Sequence, residues 1–292
     1  MTGLIPSADK RVQNSECQKR RLVVQNYHGE KLVGILHDAR SRELVIVCHG
    51  FQSSKERIPM VNLAAALEKD GISVFRFDFA GNGESEGSFQ YGNYNREVED
   101  LRVVVQFFRE KRYVITAIVG HSKGGNVVLL YASKYKDAHT VVNISGRFNL
   151  LRGMERRLGK DFIQRIKRDG FIDVKNRRGE LAYRVTAENL MDRESTDTHT
   201  ACLLIPQDCK VLTVHGSMDK MVPAEDALEF AKFISNHELC IIEDADHEYT
   251  CHQDELIRIV LKFLKAHQDK DKDTSSKQSP FTGADKPIHS RI

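Results

Sequence analysis

A serine stands between glycines at the junction of two strongly apolar segments. The run Gly120-His121-Ser122-Lys123-Gly124 directly follows a strand-like segment and directly precedes a helix-like one. The turn at such a junction is sharp enough to expose the serine hydroxyl at the carboxyl edge of a sheet. Gly120 and Gly124 would let the strand and the helix approach each other without Cβ clashes. The pattern therefore predicts that Ser122 is a nucleophile.

A serine nucleophile needs a histidine base and an acid that orients the base, and both have candidates further along the chain. Asp219 follows the strand-like segment Val211–Val214, and His247 follows the next such segment, Leu239–Ile242. Because the carboxyl ends of parallel strands meet at one edge of a sheet, we expect both side chains near Ser122. The sequence therefore predicts a triad of serine, aspartate and histidine in that order along the chain.

Other acids and histidines fit these roles less well. Asp208 precedes its strand and would lie at the opposite edge of the sheet. Asp244 and Asp246 lie in the same loop as His247, where one of them could serve only to shape the loop. The remaining histidines considered are His121, which is held in the serine turn, His215, which belongs to the turn of the acid, and His237 and His252, which fit no strand end.

An acyl-transfer site also needs two backbone N–H groups aimed at the carbonyl oxygen of the substrate. One is expected from Lys123, because the first N–H groups of a helix have no partner within the helix. The other is expected from the loop that follows the strand Leu44–Cys48, where Phe51 is the favoured donor after His49 and Gly50. We interpret His49 as a brace for this loop rather than as a proton carrier.

Strand-like and helix-like segments alternate through most of the chain, which predicts an α/β fold. Near-continuous apolar strands indicate a mostly parallel sheet that is covered by helices on both faces, and an opening hairpin at 22–37 adds antiparallel strands at one edge. The expected strands are 44–48, 72–77, 113–119, 140–144, 211–214 and 239–242, and the expected helices are 58–68, 96–109, 124–134, 224–234 and 254–266.

One long segment interrupts the alternation and predicts the domain organisation. The core would comprise residues 18–146 and 207–266, and residues 147–206 would form a helical cap, because an insertion of this length is usually functional. Apolar residues four apart predict a first cap helix that ends at Gly170; they are Leu150, Met154, Leu158, Phe162 and Ile166. Polar, aperiodic segments at 1–17 and 267–292 are expected to be disordered tails.

Composition and charge exclude several classes of function. A formal net charge of +3 without a basic, aromatic-rich stripe argues against a nucleic-acid partner. The apolar runs are only strand-length, so no membrane span is expected, and the absence of an apolar leader leads us to expect a cytoplasmic protein. The six scattered cysteines suggest neither disulfides nor a metal site. The loop 78–85 reads as structural rather than nucleotide-binding, and nothing specifies an oligomeric state.

Five motifs in order resemble the α/β hydrolases grouped with serine aminopeptidase-like and cinnamoyl or feruloyl esterase-like enzymes. They are HGFQSSK, FDFAGNGES, GHSKGG, HGSMDKMVP and DADH, within residues 20–266. The resemblance implies the α/β-hydrolase fold, Ser122, Asp219 and His247 as the triad, Phe51 and Lys123 as oxyanion donors, and no cofactor or metal. Many relatives have Met, Leu or Gln directly after the serine, where this chain has Lys123. A cation near the pocket mouth would favour anionic substrates.

The expected activity is hydrolysis of a small or medium acyl ester through a covalent acyl-enzyme. Acyl-CoA thioesterase and peptidase activities remain open, because they share the same residues and differ in the pocket. A ligand-binding or sensor protein on the same fold is the alternative of another class. Residues 147–205 hold thirteen Lys or Arg and nine Asp or Glu. A solvated helix face is the favoured explanation of this balance, and attraction of an anionic small-molecule substrate is the alternative.

Overall fold

The computed structural model of the protein describes residues 18–275, so residues 1–17 and 276–292 of the two expected tails lie outside the described residues. The strands are β1 Gln18–Gln25, β2 Lys31–Asp38, β3 Glu43–Cys48, β4 Ser73–Phe77, β5 Val114–His121, β6 Thr140–Ile144, β7 Phe171–Lys175, β8 Leu181–Thr186, β9 Lys210–Gly216 and β10 His237–Ile242. The helices are α1 Ile58–Lys69, α2 Tyr94–Glu110, α3 Lys123–Tyr135, α4 Met154–Leu158, α5 Phe162–Asp169, α6 Ala187–Ser195, α7 Thr198–Leu204, α8 Glu225–Phe233 and α9 Gln253–Ser275.

Eight strands form one sheet in the order β1-β2-β4-β3-β5-β6-β9-β10. β1 and β2 pair antiparallel, β2 pairs antiparallel with β4, and the pairs from β4 to β10 are parallel. The order of the strands across the sheet reverses at β3, which lies between β4 and β5. β3 and β5 are neighbours in the sheet although α1, β4 and α2 separate them in sequence. The mostly parallel sheet with an antiparallel edge is confirmed.

The two faces of the sheet are buried by different helices. In β3, Leu44 and Ile46 pack towards α2, α3 and α8, whereas Val45 and Val47 pack towards α1 and α9. Successive side chains of a strand point to opposite faces, and here both faces are apolar. This explains why the strands read as continuous apolar runs in the sequence.

The segment between β6 and β9 forms a cap that contains a small sheet as well as helices. β7 and β8 pair antiparallel in a separate two-stranded sheet. The expected single helix is two helices, α4 and α5, because Gly159 has a φ of 95° that ends α4. The apolar stripe from Met154 to Ile166 still packs together, in a cluster that also includes Tyr183 and Leu190 but not Leu150.

Two predicted boundaries are corrected by the structure. Helix α7 falls inside the expected cap, but its residue Cys202 and the following Ile205 pack in the main core beneath α3. The last helix continues to Ser275, so residues 267–275 are helical rather than part of a disordered tail. No glycine or proline occurs in that stretch to end the helix.

Candidate active site

The turn between β5 and α3 holds Ser122 in a strained conformation. Its φ of 56° and ψ of −118° lie outside the regions that L-residues favour, and its N–H donates to the Ile144 carbonyl over 2.7 Å. A Cβ at Gly120 would lie 2.1 Å from the Gly124 carbonyl oxygen, and one at Gly124 would lie 2.5 Å from the His49 oxygen. Only glycines therefore allow the strand, the helix and the neighbouring loop to meet at this serine.

The structure brings the three predicted triad residues into one hydrogen-bonded chain. The His247 Nε2 lies 3.0 Å from the Ser122 Oγ, and the His247 Nδ1 lies 2.6 Å from the Asp219 Oδ2. The three residues follow β5, β9 and β10, whose carboxyl ends meet at one edge of the sheet. With Nδ1 protonated towards the carboxylate, Nε2 is free to accept the serine proton.

The carboxylate of Asp219 is fixed by its own turn. Its Oδ1 accepts the backbone N–H groups of Met221 and Val222, each over 2.8 Å, and its Oδ2 also lies 3.4 Å from the His215 Nε2. Burial opposes ionisation of this carboxyl, but the hydrogen bonds from His215, His247 and the backbone outweigh it and hold the pKa of Asp219 well below its usual range. The acid is therefore ionised at neutral pH.

His121, the residue before the nucleophile, positions the loop of the base. Its Nε2 donates to the carbonyl oxygen of His247 over 2.8 Å, and the two rings lie 4.9 Å apart. Burial and the neighbouring His247 lower the pKa of His121 to about 4, so it is neutral at physiological pH. In the same loop, Asp246 accepts the Thr250 N–H over 2.8 Å, which is a structural use of that carboxylate.

The loop after β3 lies directly against the nucleophile. A Cβ at Gly50 would lie 3.0 Å from the Ser122 Cβ, so the glycine lets the backbone approach. The Phe79 N–H donates to the His49 Nε2 over 3.1 Å, which leaves the His49 Nδ1 to donate to the Gly50 oxygen over 2.8 Å. Burial lowers the pKa of His49 to about 4. This neutral ring holds the loop that carries Phe51.

A buried ion pair that the sequence analysis missed anchors the same loop. The Lys55 Nζ lies 2.6 Å from the Asp78 Oδ2, and the Lys55 backbone N–H donates to Asp78 Oδ1 over 2.6 Å. Asp78 also accepts the Glu84 N–H over 2.9 Å. The loop 78–85 thus supports the loop after β3, and the position of Asp78 directly after β4 was the available signal.

The side chain of Lys123 does not lie free at the pocket mouth, which corrects the expectation drawn from the sequence. Its Nζ is buried, 2.7 Å from the Glu97 Oε1 and 5.0 Å from the centre of the Tyr94 ring. Burial raises the pKa of Glu97 to about 7, against the opposing effect of Lys123. The Lys123 backbone remains at the start of α3, where an N–H can face the site.

A cavity of about 330 Å³ opens above the triad. Loops at the sheet edge and the cap line it together, with apolar surface from Phe51, Tyr91, Met154 and Met221. Phe51 packs edge-to-face against Tyr91 and Tyr183, with ring centres 5.7 and 5.5 Å apart, so the cap and the oxyanion loop share an aromatic contact. Ser122 therefore faces a partly open cavity whose volume lies within the range of small-molecule sites.

Within the described part of the chain, no group of three or more His, Cys, Asp and Glu side chains is arranged to hold a metal ion. In residues 18–275, no helix is long and apolar enough to cross a membrane.

Two family models match overlapping parts of the chain. The serine aminopeptidase S33 model matches residues 39–166, which include the nucleophile turn. The model of the C-terminal domain of BAAT and acyl-CoA thioester hydrolases matches residues 104–237, which include both the nucleophile and Asp219.

Individual proteins show the same relationship. An uncharacterized protein of Saccharomyces cerevisiae is 28% identical over 263 residues, which cover 80% of this chain and 75% of that protein. A monoacylglycerol lipase of Mycolicibacterium smegmatis is 29% identical over 111 residues, which are 37% of this chain and 39% of the lipase. The structure of Est1E from Butyrivibrio proteoclasticus with bound ferulic acid superposes with a TM-score of 0.75 at 22% identity, over 85% of this chain and 99% of that one.

The sheet order, the strained serine turn and the family matches agree with one another. The chain therefore has the α/β-hydrolase fold.

Proposed function

We propose that the protein is a serine esterase that cleaves a small or medium acyl ester through a covalent acyl-enzyme. The observation that carries this proposal is the hydrogen-bonded chain from Ser122 through His247 to Asp219 beneath the cavity. A nucleophile, a base within 3.0 Å of it and an ionised acid behind the base are the parts that acyl transfer requires.

The reaction follows from the positions of these atoms. As the Ser122 Oγ attacks the ester carbonyl carbon, the His247 Nε2 takes its proton, and Asp219 stabilises the imidazolium that forms. The imidazolium returns the proton to the departing alkoxide, which leaves as the alcohol. Water then attacks the acyl-serine and gives its proton to His247, which releases the acid and restores the serine hydroxyl.

The backbone N–H groups of Phe51 and Lys123 would stabilise the negative oxygen in both steps. The Phe51 N–H donates to no acceptor within residues 18–275, and the N–H of Lys123 is the first of its helix. Such preorganised donors contribute about 3–4 kcal/mol each to transition-state stabilisation in serine hydrolases.

A thioesterase is the second candidate, because the acyl-CoA thioester hydrolase model spans the nucleophile and the acid. The same residues would attack a thioester, with a thiolate rather than an alkoxide as the leaving group. A peptidase needs the same residues as well, but the similarity to a monoacylglycerol lipase and to an esterase of Pyrococcus furiosus supports an ester substrate for this chain. The intact triad weighs against a protein that binds ligands without hydrolysing them.

A fluorophosphonate probe tests the proposed function. We expect covalent labelling of the wild type and none of Ser122→Ala, because the probe reacts with a serine activated by a histidine. Ser195→Ala, an exposed serine on the cap, is the matched control and should be labelled like the wild type. His247→Ala should lower turnover of p-nitrophenyl butyrate at least about 10³-fold. An unlabelled wild type, or labelling that persists in Ser122→Ala, would show that this serine is not the nucleophile.

A further inference from the structure

Four arginines line the cavity above the triad without an acidic partner. They are Arg147, Arg156, Arg157 and Arg193. Among the residues that the structure describes, no carboxylate oxygen lies within 4.0 Å of their guanidinium nitrogens, whereas other charged side chains of the protein form ion pairs within that distance. Arg193 is buried and Arg147 is half-buried, whereas Arg156 and Arg157 are exposed on the cap. The first two charges are therefore partly desolvated without an ion-pair partner from the protein, which is costly unless a ligand supplies one.

Arg193 is the deepest of the four, with only 8% of its surface exposed. Its Nε donates to the Leu150 carbonyl over 2.7 Å, and its Nη1 donates to the Tyr94 hydroxyl over 2.8 Å. The guanidinium also lies 5.2 Å from the centre of the Tyr91 ring. These contacts fix the plane of the group but do not neutralise its charge.

Arg147 is held in a similar way at the end of β6. One of its terminal nitrogens donates to the Arg152 carbonyl over 3.0 Å, and the other donates to the Met221 carbonyl beside the turn of the acid. Burial, together with the nearby charges of Arg193 and Arg157, lowers the pKa of Arg147, although Asp226 acts in the opposite direction. The guanidinium groups are thus close enough to repel one another.

Arg157 brings the positive charge to the oxyanion loop. Its guanidinium lies 4.6 Å from the centre of the Phe51 ring, on the residue whose N–H is proposed to face the substrate oxygen. Arg156, the preceding residue on α4, donates to the Lys220 carbonyl over 3.3 Å. Both belong to the cap, which therefore places these charges at the cavity.

The acidic side chains around the cavity already have partners. Asp219 is bonded to the triad histidine, and Glu248 is bonded to Arg57 over 3.0 Å outside the cavity. Behind the wall, Glu97 pairs with Lys123, and Asp226 pairs with Arg152 over 2.8 Å. Asp226 offsets part of the charge of Arg147 without contacting it, but none of these carboxylates forms an ion pair with any of the four arginines.

We propose that Arg147, Arg156, Arg157 and Arg193 form a subsite for an anionic group of the substrate. The enzyme would then act on acyl compounds that carry a carboxylate or a phosphate in addition to the scissile bond. Guanidinium groups suit both anions, because they present parallel N–H donors to two oxygens. The inference rests on the proposed esterase function and specifies the class of its substrate.

The anion could belong to the acyl chain or to the leaving group, and two substrate pairs distinguish these sources. Monoethyl adipate and ethyl hexanoate have the same chain length and differ by a terminal carboxylate in place of a methyl group. Hexanoyl-CoA and the N-acetylcysteamine thioester of hexanoic acid share the acyl group and the thioester bond, and only the larger CoA leaving group carries phosphates. In each pair, the measured quantity is the ratio of kcat/KM for the anionic substrate to kcat/KM for the neutral one.

We expect a ratio of at least about 10 in one of the two pairs, because charge-assisted hydrogen bonds from the guanidinium groups would bind only the anionic substrate. Arg147→Gln and Arg157→Gln should reduce that ratio to about 2 or less. Arg178→Gln removes the same charge from the exposed turn between β7 and β8 and should keep the wild-type ratio. This control separates contact with the substrate from general attraction by a basic cap.

Failure of the subsite and failure of the esterase proposal give different results. A labelled wild type that hydrolyses ethyl hexanoate but has ratios near 1 in both pairs would overturn the subsite alone. If the probe does not label the wild type, the esterase proposal fails, and calorimetry on Ser122→Ala then tests the subsite by binding. Monoethyl adipate or hexanoyl-CoA should bind at least about tenfold more tightly than its neutral counterpart. Equal binding in both pairs would overturn the subsite as well.

Discussion

Replacing Asp219 with asparagine should abolish most activity while leaving the fold in place, because the surrounding hydrogen bonds dictate how the new amide is oriented. The Oδ1 accepts two backbone N–H groups, from Met221 and Val222, over 2.8 Å each. An asparagine must keep its carbonyl oxygen there, because the reverse orientation would set its NH₂ against two donors. Each unsatisfied donor would cost roughly 1–3 kcal/mol. The NH₂ therefore faces His247.

The amide then selects the wrong tautomer of His247. The Nδ1 must accept from the asparagine NH₂, so the proton moves to Nε2, which faces the Ser122 Oγ over 3.0 Å. A protonated Nε2 cannot take the serine proton, and the imidazolium loses its stabilising carboxylate. We expect kcat to fall about 10⁴-fold, which corresponds to about 5.5 kcal/mol.

The measurement is p-nitrophenyl butyrate hydrolysis at neutral pH, with thermal unfolding followed on the same samples. Asp244→Asn is the matched control, since it removes an exposed carboxylate from the loop of His247 at a φ of 57° that asparagine tolerates. The control should keep kcat within about threefold of the wild type. The reasoning is refuted if Asp219→Asn retains more than about a tenth of wild-type kcat, or if Asp244→Asn loses as much.

Two further outcomes follow from contacts around the nucleophile. Gly50→Ala would place a methyl group 3.0 Å from the Ser122 Cβ. We therefore expect kcat/KM to fall at least about tenfold with little change in the melting temperature. An unchanged kcat/KM would show that the loop moves to accommodate the methyl group without affecting the site. Burial raises the pKa of Glu97 to about 7, so the folded state holds a proton that the unfolded state releases above about pH 4.5. Between about pH 4.5 and 7, the free energy of unfolding of the wild type, measured with urea, should therefore fall by up to roughly 3 kcal/mol relative to that of Glu97→Gln. If the two proteins have the same pH dependence of unfolding, the raised pKa of Glu97 is contradicted.

The arrangement of the strands could be predicted because each strand is buried on both faces. β6 was predicted with its observed bounds at residues 140–144, and the other strands of the parallel part differ by a few residues at their ends. Burial on both faces makes a strand apolar along its whole length, which is a local signal. The two-helix form of the first part of the cap was missed, although Gly159 marks the break, because the apolar stripe continues across it.

The meeting of Ser122, Asp219 and His247 could be anticipated for a topological reason. Each follows a strand of a parallel sheet, and the ends of such strands share one edge whatever the detailed packing is. The distances and the orientation of the carboxylate are additional information from the structure, because they depend on backbone N–H groups of the turn after Asp219.

Only the tertiary structure shows which partner each long charged side chain contacts. The sequence places Lys123 next to Ser122, but it does not reveal that Glu97, on another helix, lies 2.7 Å from the Lys123 Nζ. Likewise, Arg147 follows β6, Arg157 belongs to α4 and Arg193 belongs to α6. Local patterns of apolarity and glycine determined the sheet, its strand ends and the nucleophile turn. Some of the basic side chains form ion pairs and others face the cavity without one. This difference depends on contacts between segments distant in sequence, and these contacts exist only when the cap packs over the core.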